Sequence, residues 1–430
     1  MKMEVKIGIA GLGTVGFGLL ELIHRQADLI RERLGISLVV AAVAEPKLDE
    51  KKRHLLDGVR LCADGMELVR DPAIDIIVEL VGGIAFPKKL IEAAFENGKH
   101  VVSANKALLA AEGQGLYALA AARGCALGIE ASVAGGIPII KTIREALIGN
   151  RVEEIRGIIN GTCNYILTRM ASSDTLSFAE ALAEAQAKGF AEADPTLDIS
   201  GGDAANKIAI LAALAFNTPV ELGDVYVEGI DGIEGIDVRY ARILGYTIKL
   251  LGIARDNGAS GIEARVHPAL IPLEDQLSAI RNEFNAVFLR CDFLGAALLS
   301  GRGAGAHPTA SAVVGDITDI ALMMRDHKVI PPFFSMVRKR ECLPFGKTKN
   351  RYYMRFMTLD RPGIVSRITG ILGENNISIA KMVQMEELPD GLVPVVMLSH
   401  TALEEDTARA LQAIDRLPEI QKPAKLIRAL

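Results

Sequence analysis

The sequence predicts an α/β protein of two or three domains. Its 430 residues exceed what a single hydrophobic core usually organises. Half of the residues are hydrophobic, tryptophan is absent, and many apolar residues are Ala, Val, Ile and Leu, as expected for parallel strands covered by helices. A buried strand pattern at 5–10 runs directly into a glycine-rich turn and an amphipathic helix, which is the unit from which such folds are built.

Composition also bears on compartment and partners. The formal net charge is −5 and no long basic run is present, so nucleic acid is not expected as a partner. The five cysteines are scattered without a C-x-x-C spacing, which predicts reduced thiols without a disulfide framework or zinc. No uncharged run is long enough to span a membrane, and the glycine spacing of the apolar N-terminal run fits a cofactor loop better than a signal peptide. We therefore expect a cytoplasmic protein without a membrane partner.

The first motif is G-L-G-T-V-G at 11–16, between the strand at 5–10 and a helix. This context predicts a dinucleotide-binding turn, in which the first glycine permits the tight turn, the second lets the backbone approach the pyrophosphate and the third allows close helix packing. Backbone N–H groups at the helix start would hold the anion. The alternative is a glycine-rich turn without a ligand. The predicted cofactor-binding residues here are Gly11, Gly13, Thr14, Val15 and Gly16.

The second predicted strand, 38–44, ends at Glu45. A carboxylate at this point usually binds the ribose hydroxyls and selects NAD. A basic run follows and could instead neutralise a 2′-phosphate, so NADP stays open. That run consists of Lys47, Lys51, Lys52 and Arg53.

Two further strands end in polar or glycine-rich turns. The strand at 75–81 leads into Gly82 and Gly83, and the next strand ends in S-A-N-K, with Ser103 and Lys106. Ligands of such sheets lie at the carboxyl ends of the strands. These four residues are therefore predicted to contact the cofactor, and Lys106 could also reach the substrate.

The stretch at 185–207 reads A-Q-A-K-G-F-A-E-A-D-P-T-L-D-I-S-G-G-D-A-A-N-K. Its Asp-Pro and Gly-Gly pairs predict a shaped loop that enters a largely apolar helix, with Asp203 at the helix start and Lys207 one turn later. Burial favours a neutral amine and nearby carboxylates favour an ammonium, so such a lysine can give and take a proton. A helix-surface ion pair between Asp203 and Lys207 is an equally common meaning of this spacing.

Taken together, the motifs resemble those of the homoserine dehydrogenase family. The resemblance covers nearly the whole chain and follows the family's order. Its elements are the turn at 11–16, S-A-N-K at 103–106, E-A-S-V-A-G-G-I-P at 130–138, N-G-T-C-N-Y-I at 160–166, the stretch at 185–207, G-R-G-A-G at 301–305 and the C-terminal region.

The resemblance implies a domain organisation. A Rossmann-type NAD(P)-binding domain is expected at 1–138, with 301–325 packing back on it, and an α+β substrate-binding and dimerisation domain at 139–330. A linker at 331–348 would precede 349–430, whose predicted βαββαβ order resembles an ACT domain. The chain would assemble as a homodimer or homotetramer.

The resemblance also implies roles for particular residues. Lys207 would transfer the proton during hydride exchange between L-homoserine and L-aspartate 4-semialdehyde, with Lys106 as a positioning group or a rival for that role. Gly303 and Gly305 would approach the cofactor. The substrate-binding residues would be Gly189, Glu192, Asp198 and Asp203. A monovalent cation, usually sodium, would be bound by Glu130, Val133, Gly135 and Ile137.

For the ACT-like region the resemblance implies a regulatory site at Asp360, Gly363 and Asn376, with L-threonine as the expected effector. A dimerisation sheet without a ligand is the alternative. If the region is a separate module, deleting residues 346–430 should leave activity but abolish threonine inhibition.

Two other functions fit parts of the sequence. A thiol-dependent aldehyde dehydrogenase would use Cys163 of N-G-T-C-N as its nucleophile, although no activating partner lies nearby in sequence. A catalytically inactive sensor would bind an amino acid and NAD without turnover, but the presence of both Lys106 and Lys207 speaks against it.

Overall fold

The structure is a computed structural model that describes residues 3–46, 48, 53, 56–173, 175–328, 339–385, 388 and 391–430. The chain forms two compact units, each made of three segments. Unit 1 comprises Met1–Ile155, Asn206–Gly223 and Phe284–Arg340, and unit 2 comprises Arg156–Ala205, Asp224–Glu283 and Glu341–Leu430.

The described strands are β1 Met3–Ala10, β2 Ile36–Ala44, β3 Arg60–Cys62, β4 Ile76–Glu79, β5 His100–Ser103, β6 Leu127–Gly128, β7 Val152–Ile158, β8 Tyr226–Val227, β9 Tyr246–Asp256, β10 Ile262–Pro272, β11 Phe284–Cys291, β12 Gly295–Arg302, β13 Lys349–Leu359, β14 Ile379–Gln384, β15 Leu392–Ser399, β16 Ala402–Leu403 and β17 Ile420–Ala429. The described α-helices are α1 Thr14–Arg25, α2 Ala27–Leu34, α3 Gly65–Arg70, α4 Ala85–Glu96, α5 Lys106–Arg123, α6 Ile139–Lys141, α7 Gly161–Ala171, α8 Phe178–Ala187, α9 Thr196–Ile199, α10 Gly202–Phe216, α11 Gly235–Ile243, α12 Ala306–Arg325, α13 Ile364–Glu374 and α14 Glu404–Ile414.

Unit 1 contains a six-stranded parallel sheet in the order β3-β2-β1-β4-β5-β6. This is the order of a doubly wound nucleotide-binding sheet, and it confirms the predicted Rossmann-type fold. The direction of winding reverses between β1 and β4, so the carboxyl ends of these two strands form the edge at which ligands of such sheets bind.

The core of unit 1 joins the start of the chain to the helix α12. Ile7 and Ile9 on β1 and Leu19 on α1 belong to one buried cluster with Val313 and Ile317 on α12. Burying an aliphatic side chain of this size stabilises a fold by about 1.5–3 kcal/mol.

The helices α1 and α12 approach each other closely at a glycine. A Cβ atom at Gly18 would lie 2.7 Å from the carbonyl oxygen of Ala306. Only a residue without a side chain allows the start of α12 to sit at this distance. Residues 306–325 therefore pack on the nucleotide-binding sheet's first helix.

Unit 2 contains a mixed sheet whose hydrogen-bonded order includes β9-β10-β17-β13-β15-β14. The C-terminal region has the order β13-α13-β14-β15-α14-β17, which confirms the predicted βαββαβ pattern. Its last strand, β17, pairs antiparallel with β13 and parallel with β10, with Arg428 opposite Ala269. The sheet of the C-terminal region therefore continues into β9 and β10 without a break.

Buried polar side chains also connect these parts of unit 2. Arg355 on β13 donates to Asp237 on α11 at 2.7 Å, and Asp237 is 0% exposed. Arg265 on β10 is 1% exposed and donates to Asn350 on β13 at 2.9 Å. Removing one partner of such a buried pair destabilises the fold, because the charge of the remaining partner stays buried without compensation.

Among the helices of the described residues, none combines the length and the apolar character that a bilayer crossing requires.

Candidate functional site

The glycine-rich turn of unit 1 leaves the start of α1 open. Gly11 has φ +95°, and a Cβ there would lie 2.7 Å from the carbonyl oxygen of Leu80. A Cβ at Gly16 would lie 2.3 Å from the carbonyl oxygen of Gly11. Gly13 caps α1 without a side-chain hydrogen bond and faces open space. The backbone N–H groups at the start of α1 can therefore receive an anion such as a pyrophosphate.

Glu45 lies beside this turn. Its carboxylate accepts a hydrogen bond from the N–H of Leu12 at 2.7 Å, which fixes the acid at the end of β2. A negative charge at this position disfavours a second phosphate nearby and suits ribose hydroxyls. Of the basic residues that could oppose this effect, Arg53 is exposed, whereas Lys47, Lys51 and Lys52 lie outside the described residues.

A buried carboxylate holds the loop that contains Gly82 and Gly83. Glu79, the last residue of β4, accepts hydrogen bonds from the hydroxyl of Ser103 at 2.7 Å and from the N–H of Gly82 at 3.3 Å. The amide of Asn105 donates to the carbonyl oxygen of Gly83 at 2.7 Å. Sequence reasoning named Gly82, Gly83 and Ser103 but missed Glu79 and Asn105, which position them. The sequence signal for Glu79 is a glutamate at the end of a buried strand, shortly before the Gly-Gly pair.

Lys106 is the first residue of α5, directly after β5. Asn105 caps this helix, because its side-chain oxygen accepts a hydrogen bond from the N–H of Leu108 at 3.1 Å. The lysine is half-buried and lies at the carboxyl end of the parallel sheet, as predicted from its position after the strand.

In unit 2, two carboxylates of the acidic loop, which we define as residues 189–203, converge on one asparagine. The side-chain nitrogen of Asn160 donates to Asp198 at 2.7 Å and to Asp203 at 2.9 Å. Asn160 is 5% exposed and also caps α7. The sequence placed this asparagine in the N-G-T-C-N-Y-I motif, but did not indicate that it holds two of the acids together.

The other acids of the loop are placed differently. Asp194 forms a local turn with Thr196, whose hydroxyl and N–H both donate to it and lower the pKa of its carboxyl. Glu192 is exposed. Gly189 has φ +74° and ends the helical turn after α8. The structure therefore brings Asp198 and Asp203 together and leaves the Glu192 side chain toward solvent.

The helix α10 carries both Asp203 and Lys207, one turn apart. Asp203 is 4% exposed and Lys207 is 8% exposed. A pair at the helix surface would leave both side chains in water, whereas both residues are buried here. The rest of the helix is apolar and buried, including Ile208 and Leu211.

Cys163 is 0% exposed, and its sulfur lies 3.2 Å from the carbonyl oxygen of Asp198. A nucleophilic thiol must reach its substrate as a thiolate, and reactive cysteines are partly exposed. The position of Cys163 therefore argues against the thiol-dependent aldehyde dehydrogenase.

The turn predicted to bind a cation contains a buried carboxylate. Glu130 accepts hydrogen bonds from the N–H groups of Ile140 at 2.9 Å and Lys141 at 2.7 Å, and its own N–H donates to Asp316 at 2.8 Å. Burial raises the pKa of Glu130 and raises the pKa of Asp316 to about 7. Each oxygen of Glu130 keeps a lone pair for a further ligand, so this acid fits a hard cation.

The backbone of the same turn is unusual. Ala134 and Gly135 have φ +56° and +54°, and a Cβ at Gly135 would lie 2.5 Å from the carbonyl oxygen of Gly303. Gly303 is therefore brought to this turn, and Gly305 follows it as the cap of α12. No cluster of three or more His, Cys, Asp or Glu side chains suited to a metal occurs in the described part of the chain, so backbone carbonyls, such as those of Val133 and Ile137, would have to complete the set.

The predicted regulatory residues lie at opposite ends of α13. Asp360 and Gly363 precede this helix and are exposed, and Gly363 has φ +87°. Asn376 follows the helix, with φ +59°. A helix of eleven residues is about 16 Å long, so Asn376 does not join Asp360 and Gly363 within one chain.

Family models match the chain in three consecutive parts. The model described as homoserine dehydrogenase, NAD binding domain, matches residues 11–130. The model described as homoserine dehydrogenase matches residues 138–318, and that of the ACT domain matches residues 352–419.

Individual relatives match over their full length. The homoserine dehydrogenase of Neisseria gonorrhoeae is 42% identical over 429 residues, which cover 99% of this chain and 98% of that protein. The crystal structure of a homoserine dehydrogenase from Thiobacillus denitrificans matches with a TM-score of 0.94 at 42% identity, over 99% of this chain and 98% of that one. A hyperthermophilic archaeal homoserine dehydrogenase in complex with NADPH matches with a TM-score of 0.64 at 26% identity, over 77% of this chain and 100% of that one.

The sequence motifs, the strand order of the parallel sheet and these relatives all indicate the same family over nearly the whole chain. The chain therefore belongs to the homoserine dehydrogenase family, as an oxidoreductase with an NAD-binding domain and a C-terminal ACT domain.

Proposed function

We propose that this chain interconverts L-homoserine and L-aspartate 4-semialdehyde, and that Lys207 transfers the proton. The observation that carries the proposal is a buried amine on α10, one turn after an acid that Asn160 holds beside Asp198. When bound, the nicotinamide cofactor accepts or returns the hydride. In the oxidation of homoserine, Lys207 takes the proton of the hydroxyl while the C–H bond gives up its hydride, so the products are the aldehyde and the protonated amine.

In this proposal the carboxylates of the acidic loop bind the ammonium group of the substrate. Asp198 and Asp203 are held 2.7 Å and 2.9 Å from the same nitrogen of Asn160, so two carboxylates face one small region. Such a pair attracts the ammonium group of an amino acid. Glu192 would add a third carboxylate and Gly189 a backbone contact. Lys106 would position the substrate, or compete with Lys207 for the proton.

The cofactor proposal is that NAD is preferred over NADP. It rests on Glu45, whose carboxylate is fixed beside the glycine-rich turn by the N–H of Leu12. Turnover of homoserine should be followed by the absorbance of the reduced nicotinamide, with each cofactor in turn. We expect kcat/KM to be about fivefold or more higher with NAD, since placing a phosphate beside a carboxylate costs on the order of 1 kcal/mol or more.

The same assay tests both the reaction and the effector. Absence of homoserine turnover with either cofactor would favour the inactive sensor. Added L-threonine should lower the rate if it is the effector of the ACT domain. Asp360→Asn, in the exposed turn before α13, should weaken that inhibition without changing the rate in the absence of threonine. A higher rate with NADP would contradict the role given to Glu45.

We also propose that Glu130, with the backbone carbonyls of Val133, Gly135 and Ile137, binds sodium. A cation that binds only the folded state stabilises it, by about 2.7 kcal/mol at one hundred times its Kd. Sodium chloride should therefore raise Tm more than tetramethylammonium chloride at the same ionic strength. The Glu130→Gln variant should lose this difference, and a variant that keeps it would place the cation elsewhere.

The remaining proposals concern partners. The substrate is a small molecule, L-threonine is the proposed effector, and the chain is proposed to form a homodimer or homotetramer. Because Asn376 lies beyond the far end of α13 from Asp360, a ligand that uses both would need the ACT domains of two copies.

A further inference from the structure

One arginine of the last strand, Arg428, contacts the stretch of chain that lies beside the acidic loop. Arg428 on β17 is 5% exposed, and its backbone lies opposite Ala269 on β10. Its guanidinium makes ion pairs with Glu404, at the start of α14, and with Glu228. It also donates to the hydroxyl of Tyr226 at 3.3 Å.

Glu228 belongs to a short stretch, residues 226–230, that we name the bridging segment. The segment begins with β8, which pairs with β10, and the N–H of Glu228 donates to the carbonyl oxygen of Val266 at 2.8 Å. The Tyr226 hydroxyl donates to Glu228 at 3.1 Å. The Tyr226 ring stacks on Phe345 with centroids 3.5 Å apart. Two side chains of the bridging segment are therefore held by the C-terminal part of the chain, Tyr226 by Phe345 and Glu228 by Arg428.

The other side of the bridging segment packs against the acidic loop. The N–H of Ile230 donates to the carbonyl oxygen of Ile199 at 2.8 Å. A Cβ at Gly229 would lie 2.3 Å from that same oxygen, so no side chain fits between the two stretches. Gly201 has φ +87°, and a Cβ there would lie 3.1 Å from Val227. The contact of Ile199 with Gly229 and Ile230 is a contact between backbones, which transmits a shift instead of absorbing it.

The geometry points to Glu228 and Arg428 as positioning residues for substrate binding. We propose that their ion pair fixes the bridging segment, that the segment fixes Ile199 to Gly201, and that these residues set the placement of Asp198 and Asp203 on either side. The C-terminal domain would thereby control the affinity for homoserine through contacts within one chain. This inference rests on the substrate-binding role proposed above for Asp198 and Asp203.

The expected effect is on substrate binding. A misplacement of about 1 Å in a binding group can cost about 10²-fold in rate, so a smaller shift of two carboxylates should raise the KM for homoserine by about tenfold. The cofactor turn belongs to unit 1 and makes no part of this chain of contacts. The KM for the cofactor should therefore stay unchanged.

The test replaces Glu228 with glutamine in the full-length protein and measures both KM values, kcat and Tm. Arg428 keeps Glu404 as a partner in this variant, so its charge is not left alone. A matched control is Glu234→Gln, because Arg355 on β13 likewise keeps one of its two carboxylates, Asp237. We expect Glu228→Gln to raise the homoserine KM about tenfold and Glu234→Gln to leave it within twofold of wild type. Glu228→Asp should fall between wild type and Glu228→Gln.

Equal homoserine KM values for Glu228→Gln and Glu234→Gln would overturn the inference. A homoserine KM that rises in both variants in proportion to the fall in Tm would also overturn it. If Glu228→Gln does not fold, Phe345→Leu is the second variant. It removes the ring that stacks on Tyr226 and lies 5.1 Å from the Arg428 guanidinium, but it removes no charged group, and an unchanged homoserine KM in that variant would also overturn the inference. Asp198→Asn separates the two proposals. If it leaves the KM unchanged, the proposed substrate site is wrong, whereas a raised KM there with a normal value in Glu228→Gln rejects only the positioning role.

Discussion

Replacing Lys207 with alanine is expected to lower kcat for homoserine oxidation by about 10²–10⁴-fold, which is the usual worth of a positioned proton-transfer group. Lys207 is a buried residue on α10, 8% exposed. Binding of the cofactor should be unchanged, because the glycine-rich turn follows β1 and Glu45 follows β2, whereas Lys207 lies on α10. The measurement is steady-state kinetics together with cofactor titration by fluorescence.

Two lysine variants serve as comparisons for this result. Lys88→Ala removes a lysine that pairs with Glu112 on the outside of unit 1, and should leave kcat unchanged. Lys106→Ala tests the rival donor. If it lowers kcat as much as Lys207→Ala without raising KM, Lys106 is the principal proton donor and the assignment to Lys207 fails.

Deleting residues 346–430 is expected to unfold unit 2 instead of yielding an unregulated enzyme. The deletion removes β13 and β17, and with β17 the pairing partner of Ala269 and Leu270 on β10. It also removes Asn350 from Arg265, and Arg355 from the fully buried Asp237. Removing one partner of a buried pair costs about 3–5 kcal/mol, while a whole domain is stable by only about 5–15 kcal/mol.

Circular dichroism and thermal melting of the truncated chain would measure this effect. Asp360→Asn, which changes an exposed side chain of the same region without removing a strand, should melt like wild type. A truncated chain that keeps its secondary structure and its homoserine turnover would show that the C-terminal domain is separable after all.

The sequence predicted the sheet of unit 1 well, because each strand there is a short apolar run followed by a recognisable turn. Gly11, Gly13 and Gly16 sit between β1 and α1 as expected, and a Cβ at Gly16 would collide with the Gly11 carbonyl. The same holds for the βαββαβ order of the C-terminal region. Such patterns depend on neighbouring residues and can be seen in one sequence.

Contacts between distant segments were harder to predict. Asn160 holds Asp198 and Asp203, which follow it by about 40 residues, and nothing near Asn160 in sequence indicates these partners. The pairing of β17 with β10 is a stronger case. The resemblance implied a linker at 331–348 before the ACT-like region, and the strand pattern of that region does not say which edge its last strand will occupy. The stretch at 331–338 lies outside the described residues.

The position of β17 has a consequence for synthesis on the ribosome. Its partner β10 is complete at Pro272, whereas Arg428 emerges about 160 residues later. At about 5–20 residues per second, Ala269 and Leu270 of β10 wait about 8–30 s before their partners on β17 exist. An unpaired stretch of strand edge of this kind is where newly made chains aggregate. Cotranslational folding can therefore complete the nucleotide-binding sheet early, while unit 2 must wait for its final ten-residue strand.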